Sequence, residues 1–140
     1  MGFRIIENIV SGDFAFEAFG ETLEDLFASC AEACFSAMAE LSKVDPKIDY
    51  SVDISADNLD DLLVDFLSEL IYLKDAEKIF FSRFDINIDA DNISLNAVAR
   101  GERIDYNKHD VKVDVKAATY HNLEIKQIEN GFEVNVILDL

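Results

Sequence analysis

The feature that most constrains this chain is a change of hydrophobic period near Lys74. Upstream of it, Leu59, Leu62, Leu63, Phe66, Leu67, Leu70 and Ile71 recur at the three/four spacing of one helix face. Asp60, Asp61, Asp65 and Glu69 fill the other face, with acids in the first turn where the helix dipole favours them. Asp57 or Asn58 is placed to cap this helix. Downstream the period becomes two. Residues 79–88 and 93–100 read as a hairpin around Ala90-Asp91-Asn92. Val111, Val113, Val115 and Ala117 alternate on a further strand, and residues 123–128 and 132–138 flank Asn130-Gly131, a strong hairpin signal. Such an order places helices against the face of a sheet.

The first half of the chain fits the same plan. Residues 3–10 are apolar and β-branched, as in a strand, until Ser11-Gly12-Asp13 breaks the run. Phe14, Phe16 and Ala18 share one face of a second strand that ends at Gly20. Thr22 with Asp25 is a capping-box variant. It opens a helix to about Leu41, with Leu23, Leu26, Phe27, Cys30, Cys34 and Leu41 as its apolar stripe. Asp45-Pro46 ends that unit, because proline restricts the residue before it. Ile48, Tyr50, Val52 and Ile54 alternate as a strand. The expected fold is α+β, two helices packed on a mixed or antiparallel sheet, in one domain spanning residues 1–140.

Composition narrows the functional classes. Eleven phenylalanines and a half-apolar chain of 140 residues can build a core without a disulfide or metal. No apolar run reaches the ~18 residues of a membrane helix, and the first residues lack a basic-then-apolar leader. A cytoplasmic protein is expected. Acidic residues outnumber basic ones 29 to 12, a net charge of −17. That charge repels phosphate backbones and favours cations and basic protein surfaces. Cys30 and Cys34 stand alone, so no zinc framework exists, and both are expected to be buried. No phosphate-binding loop, dinucleotide glycine pattern, H-E-x-x-H or G-x-S-x-G is present. Asp85-x-Asn87-x-Asp89 copies the start of a calcium loop, but Ala90 stands where glycine is needed and Asn96 where the bidentate glutamate is needed.

The candidate site residues sit at strand ends. Val136-Ile137-Leu138-Asp139-Leu140 is a strand that closes on a carboxylate. An Asp side chain, a backbone carbonyl and a terminal carboxylate within two residues suit a hard cation. Asp13 is a second strand-end acid, able to share that cation if the two strands are neighbours; otherwise it is a turn aspartate. Lys116 alternates away from the valine face of its strand, an exposed position, alongside Lys112, Asp114, Ala118 and Tyr120. His121 falls on the valine parity, where a buried, hydrogen-bonded ring is expected, whereas His109 lies in a polar loop. A metal-dependent hydrolase using Asp13, Asp139 and His121, and a chaperone-like interaction module without metal, are the competing readings.

Taken together, these segments resemble the archease family. Ser11-Gly12-Asp13-Phe14-Ala15-Phe16-Glu17-Ala18-Phe19-Gly20 is similar to its T-A-D-led opening, and Thr22-Leu23-Glu24-Asp25-Leu26-Phe27 to its T-L-E-E-led helix start. Leu70-Ile71-Tyr72-Leu73 resembles the end of the family's second helix. Gly101-Glu102, His109 and Val115-Lys116-Ala117-Ala118-Thr119-Tyr120-His121 resemble its G-E, H and V-K-A-x-T-Y-H elements, and residues 136–140 its terminal V-I-x-D-I. The chain departs from the pattern at Glu7-Asn8, since the family sets Glu-His directly before its T-A-D, and at Gly12, where alanine is usual. The resemblance implies an accessory protein, not an enzyme. Archeases assist the RtcB-type tRNA-splicing ligase by promoting its GTP- and metal-dependent guanylylation and its repeated turnover. Carried over, the family's metal site falls on Asp13, Asp139 and the Leu140 carbonyl or terminal carboxylate. The ion implied is divalent: calcium, or manganese or magnesium. The functionally required lysine falls on Lys116. RNA is then reached only through the ligase.

Overall fold

A computed structural model of the chain describes residues 2–6 and 13–140. The later part of the expected first strand, residues 7–10, and the Ser11-Gly12 break lie outside the described residues. Strands β1 (Gly2–Ile6), β2 (Asp13–Gly20), β6 (Ala117–Ala118), β7 (Lys126–Ile128) and β8 (Gly131–Asp139) form one sheet, in the order β1-β2-β8-β6 with β7 also on β8. Strands β3 (Ile48–Ser55), β4 (Ile79–Asp89) and β5 (Ser94–Arg103) form a second sheet in the order β3-β5-β4. Each of these pairings is antiparallel. The α+β class is as expected, with the strands divided between two sheets.

The two helices join the sheets. Helix α1 (Leu23–Ser36) packs on β1, β2 and β8 of one sheet and on β4 of the other, and α2 (Leu59–Glu77) on β3, β4 and β5 of one and on β6 of the other. A helix covered from both sides is buried all round. This explains why Ala28, Ser29, Ala31 and Ala33 of α1 are buried together with the apolar stripe. Cys30 and Cys34 are fully buried free thiols, and burial pushes both up, Cys34 to about 12. Neither is a reactive thiolate.

Local chemistry sets the helix ends. Thr22 Oγ1 accepts from Asp25 N–H at 3.1 Å, as the capping motif predicts. Helix α1 stops at Ser36, five residues short of the expected end, and Leu41–Lys43 form a 3-10 turn. Beyond the helix, Glu40 N–H donates to the His109 carbonyl, so the backbone has turned to a partner outside the helix. Asn58, not Asp57, caps α2, its Oδ1 accepting from Asp61 N–H at 2.8 Å.

Two expected strands are shorter than their alternation suggests. Of residues 111–117 only Ala117 enters a ladder, with Ala118. Val115 is fully buried, but Val113 is 44% exposed. The N–H groups of this stretch bond elsewhere: Lys112 to the Met38 carbonyl and Lys116 to the Asp139 carbonyl. Of residues 123–128 only Lys126–Ile128 pair, because Ile125 N–H is taken by Asp60 Oδ1 at 2.9 Å. Gly131 has φ +150° and pairs with Ile128, so the tight turn is residues 129–130, one position earlier than Asn130-Gly131.

Gly101 lies close against the neighbouring backbone in the second sheet. It faces Phe81 and Ile48 across the ladders, beside the irregularity between Phe81 and Arg83. A Cβ there would overlap the Phe80 carbonyl. Gly101→Ala should therefore destabilise the protein by about 1–3 kcal/mol, the range for overpacking. A urea midpoint equal to that of the parent protein would contradict this.

Candidate functional site

The β2–β8 ladder sets Asp13 directly opposite Asp139, and β6 sets Ala117 on the other side of Asp139. Directly opposed residues of an antiparallel pair project from the same face, with Cβ atoms roughly 4.5–5.5 Å apart. On this ladder Phe14, Phe16 and Ala18 oppose Leu138, Val136 and Val134 on the core side. Alternation then turns Asp13 and Asp139 to the outer side, with Asp13 half-buried and Asp139 exposed. The two acids thus form a carboxylate pair at the end of the sheet.

Lys116 N–H donates to the Asp139 carbonyl at 2.8 Å, which ties the lysine to the same sheet end. Its side chain is exposed, and the residue lines a cleft with Ser68, Tyr72 and Asp75 of α2. Leu140 is half-buried against the core and borders an apolar groove with Phe3, Phe14 and Val113.

The two histidines exchange the places expected of them. His121 is exposed, in a turn beyond β6, where its N–H donates to Thr119 Oγ1 at 3.3 Å. The strand parity that predicted its burial ends at Ala118. Ala118 pairs with Leu138, and Thr119 N–H donates to the Ile137 carbonyl, so the backbone travels away from Asp139 before it reaches His121. His109, read as a loop residue, is fully buried. Its Nδ1 accepts from Asp105 N–H at 3.0 Å, its Nε2 lies 2.8 Å from Glu102 Oε1, and its ring stands edge-on to Phe80. That network assigns the proton to Nε2. Glu102 also accepts from Asp45 N–H and Lys108, so this cluster latches loops together. The false calcium loop resolves as surface structure, with Asp85 on Arg100 and Asp89 accepting from the N–H groups of Asp91 and Asn92.

Among the described residues no group of three or more His, Cys, Asp or Glu side chains is placed to hold a metal. The oxygen donors that could hold a cation at the sheet end are the Asp13 and Asp139 carboxylates, with the carbonyl of Leu140, the residue next to Asp139 in the chain. An all-oxygen donor set suits calcium, magnesium or manganese and lacks the His and Cys ligands typical of zinc.

Lys74 is the polar landmark that the periodicity does not announce as functional. It is only 3% exposed, yet its Nζ meets Asp75 Oδ1 at 2.7 Å, Asp114 Oδ1 at 2.6 Å and the Val115 carbonyl at 3.0 Å. Burial opposes its charge, but the hydrogen bonds to Asp114 and Asp75 outweigh that and raise its pKa. One signal was available: Lys74 occupies the next position of the stripe that runs through Leu67, Leu70 and Ile71.

Two antiparallel sheets joined by a helix pair, with a carboxylate pair and a lysine at one sheet end, define an α+β protein whose candidate site is a binding edge. The Archease protein family (MTH1598/TM1083) matches residues 3–140, and the chain belongs to that family. It is 35% identical to protein archease of Sulfurisphaera tokodaii over 130 residues, covering 93% of this chain and 94% of that one. The solution structure of Methanobacterium thermoautotrophicum protein 1598 superposes with a TM-score of 0.85 at 35% identity, covering 99% of both chains. The crystal structure of a Thermotoga maritima archease, described as a possible chaperone, shares the fold with a TM-score of 0.66 at 16% identity, covering 98% of both. Among the described residues no helix is long and apolar enough to cross a membrane.

Proposed function

We propose that this archease activates an RtcB-type tRNA-splicing ligase in the cytoplasm, promoting the ligase's GTP- and metal-dependent guanylylation and its multiple turnover. The observation that carries this reading is the register that sets Asp13 against Asp139, with Lys116 bonded to the Asp139 carbonyl. A divalent ion, calcium or manganese or magnesium, would supply charge neutralisation for a transferring phosphoryl group. Asp13 and Asp139 would hold it, with the Leu140 carbonyl completing the oxygen set. Lys116, at the same sheet end, would contact a phosphate or an acidic group of the ligase. The net charge of −17 suits a basic protein surface and leaves RNA contact to the ligase.

An accessory role fits the family and the possible-chaperone description of the Thermotoga maritima protein. The hydrolase reading wants a general base within hydrogen-bond reach of the substrate, and the backbone carries His121 away from the carboxylates. The deciding experiment supplies excess RNA substrate, GTP and manganese to a small amount of ligase and counts ligations per enzyme. Adding this chain should raise the count severalfold. An unchanged count would overturn the proposal, and substrate cleavage by the chain alone would favour the hydrolase.

A further inference from the structure

We propose that Lys74 is a positioning residue for Lys116, clamping the segment that delivers it to the sheet end. Lysine is almost never buried unless paired. Here the ammonium has three oxygen partners, Asp75 Oδ1, Asp114 Oδ1 and the Val115 carbonyl, and the last two lie on the segment just before Lys116. Between Ile104 and Lys116 the chain has no ladder of its own. Its last residues are held from both sides: Lys74 on α2 grips the Val115 carbonyl, and the Asp139 carbonyl on β8 receives the Lys116 N–H. The clamp therefore joins α2 to the β8 end that carries the carboxylate pair.

Stability alone is a poor explanation for this arrangement. Replacing a buried ion pair with apolar groups of similar volume is often neutral or stabilising. Asp75 and Asp114 are 59% and 67% exposed, so each carboxylate returns to water if the lysine is removed. What an apolar substitute cannot reproduce is the fixed position of the Val115 carbonyl and, through it, the direction in which Lys116 leaves the sheet.

The inference rests on the reading that Lys116 acts on the ligase, and its test has an arm independent of that reading. In Lys74→Met, amide hydrogen exchange at Lys116 should accelerate on the order of tenfold through local opening, while α2 and β2–β8 amides exchange as before. Ligase stimulation should fall toward that of Lys116→Ala. Asp114→Ala cuts the same clamp from the exposed side and carries the test if Lys74→Met does not fold. Unchanged exchange at Lys116 overturns the proposal, as does faster exchange with full stimulation. If the parent chain does not stimulate the ligase, the proposed function fails, and the exchange arm alone decides whether Lys74 sets the segment.

Discussion

Asp13→Ala and Asp139→Ala should each abolish ligase stimulation without unfolding the protein, and each should be at least as stable as the parent chain when no divalent ion is present. The two carboxylates face each other across β2 and β8. Like charges directly opposite on a ladder repel, so removing one should stabilise the metal-free protein by about 0.2–1 kcal/mol. Saturation with the cation reverses the sign. At a hundredfold excess over Kd, a ligand that binds only the folded state adds about 2.7 kcal/mol, roughly 10 °C in Tm for a chain of this size. That gain should appear in the parent chain and disappear in both variants. Lys116→Ala should keep the gain and lose the stimulation, which separates holding the ion from acting on the ligase. Equal melting shifts with calcium or manganese in the parent and both aspartate variants would sink the carboxylate assignment, whatever the ligation result.

How much of this was legible in the sequence depended on what each signal averages over. The α2 stripe held because seven apolar positions repeat one face, and six of them, from Leu62 to Ile71, are buried. The Thr22 and Asn58 caps held because a cap is decided within one turn. The pairing of Asp13 with Asp139 is not written in either segment, since cross-strand register between residues so distant in sequence leaves no local trace. Residues 111–117 failed for the converse reason. Val111, Val113 and Val115 alternate, but the backbone there is fixed by Lys74 donating to the Val115 carbonyl and by the Lys112 and Lys116 N–H groups donating to the Met38 and Asp139 carbonyls, with no ladder before Ala117. His109 and His121 exchanged environments with it, because strand parity predicts a face only while the strand lasts.

Glu102→Ala should cost about 1–3 kcal/mol, the range for leaving a buried hydrogen-bonding group without its partner, because the charged partner Lys108 is itself exposed and returns to water. Its carboxylate joins three parts of the chain: the end of β5, the loop at Asp45 and the excursion that begins at Ile104. Oε1 accepts from Asp45 N–H at 3.0 Å and from Lys108 at 2.7 Å, and it lies 2.8 Å from His109 Nε2. Alanine would leave the Nε2–H of the fully buried His109 without this acceptor, and that loss is the source of the cost. The same contacts fix the pH response. Burial would push the Glu102 carboxyl up, but the hydrogen bonds from Asp45, Lys108 and His109 outweigh it and hold the pKa at about 2, below the ordinary 4.5. A carboxyl depressed on folding contributes stability that is complete above its unfolded pKa and lost as pH falls through the folded one. Urea midpoints measured from pH 6 downward should therefore fall below about 4.5, and part of that slope should be missing in Glu102→Gln, which keeps one acceptor oxygen without the charge. A Glu102→Ala midpoint within about 0.5 kcal/mol of the parent, the scale of an ordinary surface substitution, would mean that the loops are held by their apolar contacts and that the carboxylate is incidental.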